Sequence, residues 1–440
     1  MMSEKTTRVR WLLVFWLFLL SAVAFLDRVN ISIAGISIAT EYGISNKQLG
    51  GVFSSILWGY ALFQTVGGRL ADRYGPRRVL TLGVVWWGIF TALTASLPVH
   101  FRWALWALIT VRFLLGAGEA VVYPASNQFV ARWIPVAERG AANGWIFAGV
   151  GVGSGLTPPL ITLIMSHYGW RASFWVCALI GLLAGAVWFV IARDTPAQHP
   201  RVSAQERGWI ESGISLESAS PARAATSGSV PPATRKLIPW RRVLTSKDVL
   251  AVTLSYFCFG YVAWIFFSWF YIYLAQVRRL NLKASAFYAM LPFLAMAVAC
   301  LLGGLISDWL TRECGRRVGR CGVATVAMAL AAAFIALGSH VQGGRLASVF
   351  LAGGAGALYL AQSSFWSVTA DIAAASSGSV SGFMNMGAQI GGALTALLTP
   401  VIAQDFGWTA SFLVAAALSL LGSTAWLAVD PACTLDAHAN

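Results

Sequence analysis

The chain has 440 residues, 58% of them hydrophobic and only 11% charged, with 20 Trp and 43 Gly, a composition that excludes an ordinary soluble domain and indicates a polytopic membrane protein. Its formal net charge of +14 would suit a nucleic-acid partner if the basic residues formed a stripe, but they fall in short loops between apolar runs, so no nucleic acid is expected. The six cysteines lack paired or metal-like spacing, which excludes a disulfide framework or a zinc site and leaves packing residues and free thiols.

A hydrocarbon core of about 30 Å is crossed by roughly 20 predominantly apolar residues in a helix. Twelve segments qualify: residues 11–34, 48–66, 79–97, 103–131, 141–165, 171–191, 249–275, 285–306, 322–338, 346–370, 378–403 and 408–429. The first is too long and too charged for a cleavable signal peptide and reads as a retained span. The expected fold is therefore all-α, with a six-helix half over 1–192, a polar linker over 193–247, a second six-helix half over 248–430 and a tail over 431–440. Within the linker, residues 203–212 and 239–249 read as short interfacial helices anchored by Trp209 and Trp240. Of the 31 Lys and Arg residues, 22 lie on the side of the two termini and seven on the other, with Arg28 and Arg112 inside spans. The positive-inside rule then predicts a multi-pass protein of the cell membrane with both termini cytoplasmic, and the compact loops suggest a bacterial inner membrane.

Span one carries Asp27, Arg28 and Asn30 in an otherwise apolar run. An ionised side chain at that depth costs about 2.5–3.5 kcal/mol on insertion scales, so such residues face a cavity and mark a transport path. Span four holds a second pair, Arg112 and Glu119, seven residues and thus about 10 Å apart on one helix face, which Tyr123 continues. Static packing is a poor reason to keep buried ion pairs, because apolar replacements do as well. The four charges sum to zero, and protonating either carboxylate leaves a positive site for an anion. Asp27 and Glu119 are thus expected to carry protons, Arg28 to receive a substrate carboxylate through its planar fork, and Arg112 to hold Glu119 until the proton arrives.

Polar side chains in other spans are expected to complete the pocket: Tyr60, Gln64, Asn127, Tyr261, Trp264, Ser363, Trp366, Asn385 and Gln389. Asp371 reads as a helix cap at the membrane edge. Gly149, Gly151, Gly153 and Gly155, followed by Pro158 and Pro159, give span five a small-residue face for close packing and rocking. The five histidines lie at span ends or in loops without a metal or triad constellation, so no enzyme, catalytic residue, metal or cofactor is expected.

The chain also repeats itself. Residues 67–78, GGRLADRYGPRR, have a counterpart in GGLISDWLTRECGRR at 303–317, and GWRASF from Gly169 recurs as GWTASF from Gly407. Two halves in the same orientation are what a parallel-repeat secondary transporter requires, with the substrate held between them. In the first copy Gly67 and Gly68 allow close helix contact, Asp72 can cap a neighbouring helix, and Arg73, Arg77 and Arg78 can pair with it or with lipid phosphate; Gly75 belongs to the same gating motif, and Asp308 matches Asp72.

The 67–78 motif, with its weaker copy, resembles the signature of the major facilitator superfamily. FLDRVN in span one, FSSILWGYALFQTVGGRLADRYG across span two and RFLLGAGEAVVYPASN in span four are similar to the anion:cation symporter family, which includes bacterial sugar-acid carriers and animal vesicular glutamate and sialic acid carriers. The resemblance implies that the 67–78 residues govern the conformational switch, that Asp27, Arg28, Arg112 and Glu119 hold the roles given above, and that the chain imports an organic anion, a sugar acid or related carboxylate, with protons. Some sugar-acid carriers have a Gln in span five where this chain has only small and apolar residues. The paired arginines remove the net negative cavity that drug or cation:proton antiport needs, whereas uniport or exchange of an anion is left open. The compact loops suggest no partner domain, and a monomer is expected.

Overall fold

The computed structural model describes residues 7–44, 46–99, 102–215, 238–270, 273–278, 282–373, 376–433 and 435. The middle of the expected linker (216–237), His100, His438 with the end of the tail, and the side chains of Pro158 and Pro159 lie outside the described residues.

Among the described residues the regular structure is helical throughout. The first half comprises α1 (Val9–Tyr42), α2 (Asn46–Tyr74), α3 (Pro76–Ser96), α4 (Ala104–Glu119), α5 (Val122–Trp133) and α6 (Arg139–Ile191). Two short helices, α7 (Ala204–Ser215) and α8 (Trp240–Thr245), belong to the connection. The second half comprises α9 (Lys247–Ser268), α10 (Leu282–Cys314), α11 (Val323–His340), α12 (Gly344–Leu360), α13 (Gln362–Ala373), α14 (Ser377–Phe406) and α15 (Trp408–Ala425). Ten helical stretches are long and apolar enough to cross a membrane. The two other expected spans lie in α2 and in the first part of α6, and both are helical.

The repeat is written in the backbone. Gly169 (φ 77°) breaks α6, and its counterpart Gly407 (φ 85°) separates α14 from α15; Gly75 (φ 89°) and Gly315 (φ 86°) end the two signature segments in the same left-handed conformation. A side chain there is strained, which is why the turns carry glycine. A third correspondence was not visible in the sequence: the expected fourth span is two helices, α4 and α5, and the tenth is likewise divided into α12 and α13 at Ala361. In the fourth span Pro124 has no N–H to return to Ala120, and the helix breaks at that carbonyl. Tyr123 therefore stands in the first turn of α5, beyond the interruption that follows Glu119.

α6 is packed on two sides. A Cβ at Gly149 or Gly153 would stand 2.4 or 2.3 Å from the carbonyl oxygens of Phe18 and Ala22 on α1, while one at Gly151 would meet the Phe293 carbonyl of α10 at 2.6 Å. The small residues thus let α6 touch its own half and the opposite half at backbone distance.

The linker is bolted to the bundle. Glu206 of α7 is fully buried and accepts from the Thr7 hydroxyl (2.6 Å), the Val9 and Arg10 amides (3.0 and 3.1 Å) and the Arg10 guanidinium (3.1 Å). It satisfies the first amides of α1 and complements the positive end of that helix. Arg10 also forks onto Glu138 at 2.9 and 3.2 Å, to which Trp209 donates at 3.0 Å. At the other end of the linker, Ile238 donates to Ser376 and accepts from Arg69, both at 2.9 Å, so it touches both halves. Replacing Glu206 by Ala is expected to lower the thermal unfolding midpoint of the detergent-purified protein below that of Glu206→Gln, because it leaves the buried Val9 amide and the Thr7 hydroxyl without the acceptor that a Gln still offers, at a cost of about 1–3 kcal/mol for each donor left unsatisfied.

Candidate functional site

Adjacent residues on a helix point about 100° apart, and this separates Asp27 from Arg28. Asp27 turns into the first half, where Thr91 of α3 donates to one of its oxygens and the other has no partner. Arg28 shares a face with Phe25 and turns toward the interface between halves. Its Nε lies 3.1 Å from both oxygens of Glu119, and its guanidinium carbon stands 4.2 Å from the Tyr60 ring centre and 4.9 Å from that of Phe25. The Nη2 group of Arg28 and the Tyr60 hydroxyl have no hydrogen-bond partner among the described residues.

The pairing differs from the sequence expectation. Glu119 is held by Arg28, not by Arg112. The Arg112 side chain is fully buried, none of its three nitrogens has a hydrogen-bond partner among the described residues, and it lies within electrostatic reach of both Asp27 and Glu119. A guanidinium in that position compensates two carboxylates through space without fixing either, so a change of protonation at one is felt at the other.

Arg28 opens onto a cavity of about 60 Å³ between the halves. Of the expected pocket residues, Tyr60, Tyr123, Trp264, Trp366, Asn385 and Gln389 line it with Arg28. Tyr123 stacks on Phe147 at 4.9 Å, and Phe147 lies 4.9 Å from Trp366, so one wall is a run of rings. The Tyr123 hydroxyl is tied to Ser21 at 2.8 Å. Four expected residues are elsewhere. Gln64 is buried with both amide atoms unpartnered, Asn127 donates to Thr369 of the other half at 3.0 Å, the Tyr261 hydroxyl is buried without a partner, and Ser363 donates to the Cys300 carbonyl at 3.2 Å. In their place stand Tyr256, Tyr359 and Gln362; Gln362 donates to the Tyr256 hydroxyl at 2.9 Å, and Trp366 to the same oxygen at 3.0 Å. Gln362 was one residue from the Ser363 that the sequence singled out, on the adjacent side of the helix.

On the side of the linker the halves are latched twice, by the same device. Asp72 of α2 accepts from the amides of Gly378 (2.9 Å) and Ser379 (2.8 Å) and from the Ser379 hydroxyl, at the N-terminus of α14 in the opposite half. Asp308 of α10 accepts from the amides of Gly140 (2.8 Å) and Ala141 (2.6 Å), at the N-terminus of α6. A carboxylate at the positive end of a helix is favoured by the orphan amides and the helix dipole together. Glycine lets the helices close: a Cβ at Gly68 would lie 2.0 Å from the Gly378 carbonyl oxygen, and one at Gly304 2.2 Å from that of Gly140. A Cβ at Gly67 would lie 2.8 Å from the Val121 side chain.

The arginines of the signature do not pair with Asp72. Arg73 and Arg78 are exposed, and Arg77 donates to the Phe189 carbonyl at 3.0 and 2.8 Å, with its amide on Asp194 at 3.0 Å. Arg132 instead reaches the Asp72 carbonyl at 3.3 Å. Asp308, by contrast, has a cation, Arg320, at 2.7 Å. Asp371 is not a surface cap: it is buried, 2.6 Å from Arg139 and 3.6 Å from Arg320. The Arg139, Arg320 and Asp371 set joins residues up to 232 apart in sequence, which no local spacing signals.

Gly68→Val is expected to wedge the latch open. In a background with exposed Cys314 and Cys433 replaced by Ser, an Asn127→Cys probe should react faster with an impermeant maleimide applied from the linker side once Gly68→Val is added. An unchanged labelling rate would show that the contact does not hold that side closed.

Residues 17–396 match the sequence profile of the Major Facilitator Superfamily. Similar curated proteins include a probable sulfoacetate transporter of Cupriavidus necator, 33% identical over 94% of this chain and 92% of that one. The chloroplastic ascorbate transporter of Arabidopsis thaliana is 31% identical over 95% of this chain and 74% of that one, and a probable galactarate/D-glucarate transporter of Bacillus subtilis 30% identical over 71% and 67%. Among solved structures, a proton:xylose symporter bound to 6-bromo-6-deoxy-D-glucose superposes with a TM-score of 0.72 over 97% of both chains at 16% identity, which is a likeness of fold.

Proposed function

Because the chain belongs to the Major Facilitator Superfamily, we propose that this multi-pass membrane protein imports an organic anion, a sugar acid or related carboxylate, together with protons by alternating access. The observation that carries the reading is the position of Arg28, which lines the cavity and holds Glu119 through Nε while its buried Nη2 has no hydrogen-bond partner among the described residues. Glu119 and a substrate carboxylate compete for one guanidinium. Protonation of Glu119 removes its charge, weakens its hold and frees the fork for a bidentate anion contact. Loading a proton and an anion together keeps the buried site neutral, which limits the cost of moving it between the two faces. Asp27, compensated through Arg112, is the second group able to take a proton.

Relatives named as carriers of sulfoacetate, ascorbate and galactarate or glucarate support an anionic cargo. The excess of Lys and Arg on the linker side supports a cytoplasmic position for that side; on that reading the Asp72 and Asp308 latches close the inner face. In proteoliposomes with an inward proton gradient, a panel of labelled sugar acids and related carboxylates should yield one that accumulates, and collapsing the gradient should abolish accumulation. No gradient-dependent uptake of any acid, with efflux of cationic compounds instead, would overturn the proposal in favour of antiport.

A further inference from the structure

The cavity wall is unequal in charge. Arg28, from the first half, is the one charged residue among the eighteen that line it, and ten of the others are aromatic. The second half offers only neutral polar groups there: Asn385 and Gln389 on one turn of α14, Gln362, and the Tyr256 and Tyr359 hydroxyls. Gln362 is engaged with Tyr256, whereas Gln389 Oε1 is buried without a partner. Arg112 does not reach the wall. An anionic group bound at the Arg28 end meets a cation and a planar fork, but a second one at the far end would be desolvated with no cation to compensate it, at a cost of several kcal/mol. An amide compensates such a charge less than a cation does and suits a hydroxyl or ether oxygen as donor and acceptor. Between the two, the rings of Tyr123, Phe147 and Trp366 line the cavity, and aromatic side chains suit a ring-shaped body by offset or edge contacts.

We propose that the carried anion bears a single negative charge on a ring-shaped body, with its carboxylate on Arg28, its faces against the Tyr123–Phe147–Trp366 wall and an uncharged polar end toward Asn385 and Gln389. This rests on the organic-anion reading and narrows it: open-chain dicarboxylates are poor cargo. Charge at the far end is the discriminating feature, and the wall itself indicates how to invert it, by placing a cation at position 389.

The test uses the purified full-length protein and two matched pairs of anions, benzoate with terephthalate and galacturonate with galactarate. Affinity is read from tryptophan fluorescence, since Trp264 and Trp366 line the cavity, and from the rise of the unfolding midpoint with ligand. At least one monoanion is expected to bind, its dianionic counterpart at least tenfold more weakly, and Gln389→Lys should reverse that order. A dianion that binds the wild type as tightly as its monoanionic counterpart, with either anion still lost in Arg28→Ala, would overturn the single-charge inference and leave the carrier reading standing. Binding of neither pair, with cationic compounds binding in their place, would overturn both.

Discussion

Arg28→Ala is expected to abolish gradient-driven uptake while leaving a folded protein. The cavity then has no cation on its wall, and an entering carboxylate is desolvated without compensation. Truncation also leaves Glu119 buried without the partner that holds both its oxygens, and breaking a buried pair from one side costs about 3–5 kcal/mol, so the variant alone confounds binding with stability. Arg28→Lys separates the two. It keeps a positive charge beside Glu119 and should recover most of the unfolding midpoint, but an ammonium is a point charge that lacks the fork. With one charge-assisted hydrogen bond worth about 1.5–3 kcal/mol, uptake at low substrate should fall roughly 10- to 150-fold. Initial rates in proteoliposomes beside thermal unfolding of the same preparations check this. Wild-type uptake by Arg28→Lys would mean that charge alone suffices and that the fork is not used; wild-type uptake by Arg28→Ala would remove Arg28 from the substrate site.

What could be read from the sequence, and what could not, divides along a physical line. Span number, the two halves, the buried charges and the repeat rest on composition and on spacings within one segment, and these are local properties. The side of a helix that faces the cavity is not local. Ser363 and Gln362 are both polar residues of the same span, and only the packing of α13 against α9 and α10 turns one toward Cys300 and the other toward Tyr256. The same limit explains the partner of Glu119. Arg112 shares its helix and its face, which made it the natural choice, but Arg28 reaches over from α1 and takes both oxygens. Asp371 looked like a surface residue because it ends an apolar run, yet Arg139 and Arg320 come from distant segments to bury it.

The two latches are alike in geometry and unlike in charge, and this bears on the switch. When the linker side opens, Asp308 loses the α6 amides but keeps Arg320 within its own half. Asp72 loses every donor that its carboxylate has in the closed form, since all three belong to α14. Opening therefore costs more at Asp72, and Asp72→Asn should shift the population toward the form open on the linker side more than Asp308→Asn does. Labelling of the Asn127→Cys probe from that side distinguishes the two variants.

Glu119→Gln should uncouple the carrier. The amide matches the carboxylate in shape but holds neither a proton to exchange nor a charge to compete for Arg28, so the site resembles the protonated state permanently. Binding of the anion is then retained or strengthened, and exchange of labelled for unlabelled substrate continues, because exchange needs no net proton movement. Accumulation fails. Each proton carried per anion contributes 1.36 kcal/mol for each unit of imposed pH difference, about a tenfold concentration ratio; if Glu119 carries one proton, a two-unit gradient should accumulate roughly a hundredfold less substrate in the variant, with any residue reporting protons carried by Asp27. The reverse pattern, lost exchange with coupling preserved in what uptake survives, would mean that Glu119 organises Arg28 for binding and that the proton enters elsewhere. Equal accumulation in wild type and Glu119→Gln would exclude Glu119 from coupling and leave Asp27, with Arg112 behind it, as the group to test.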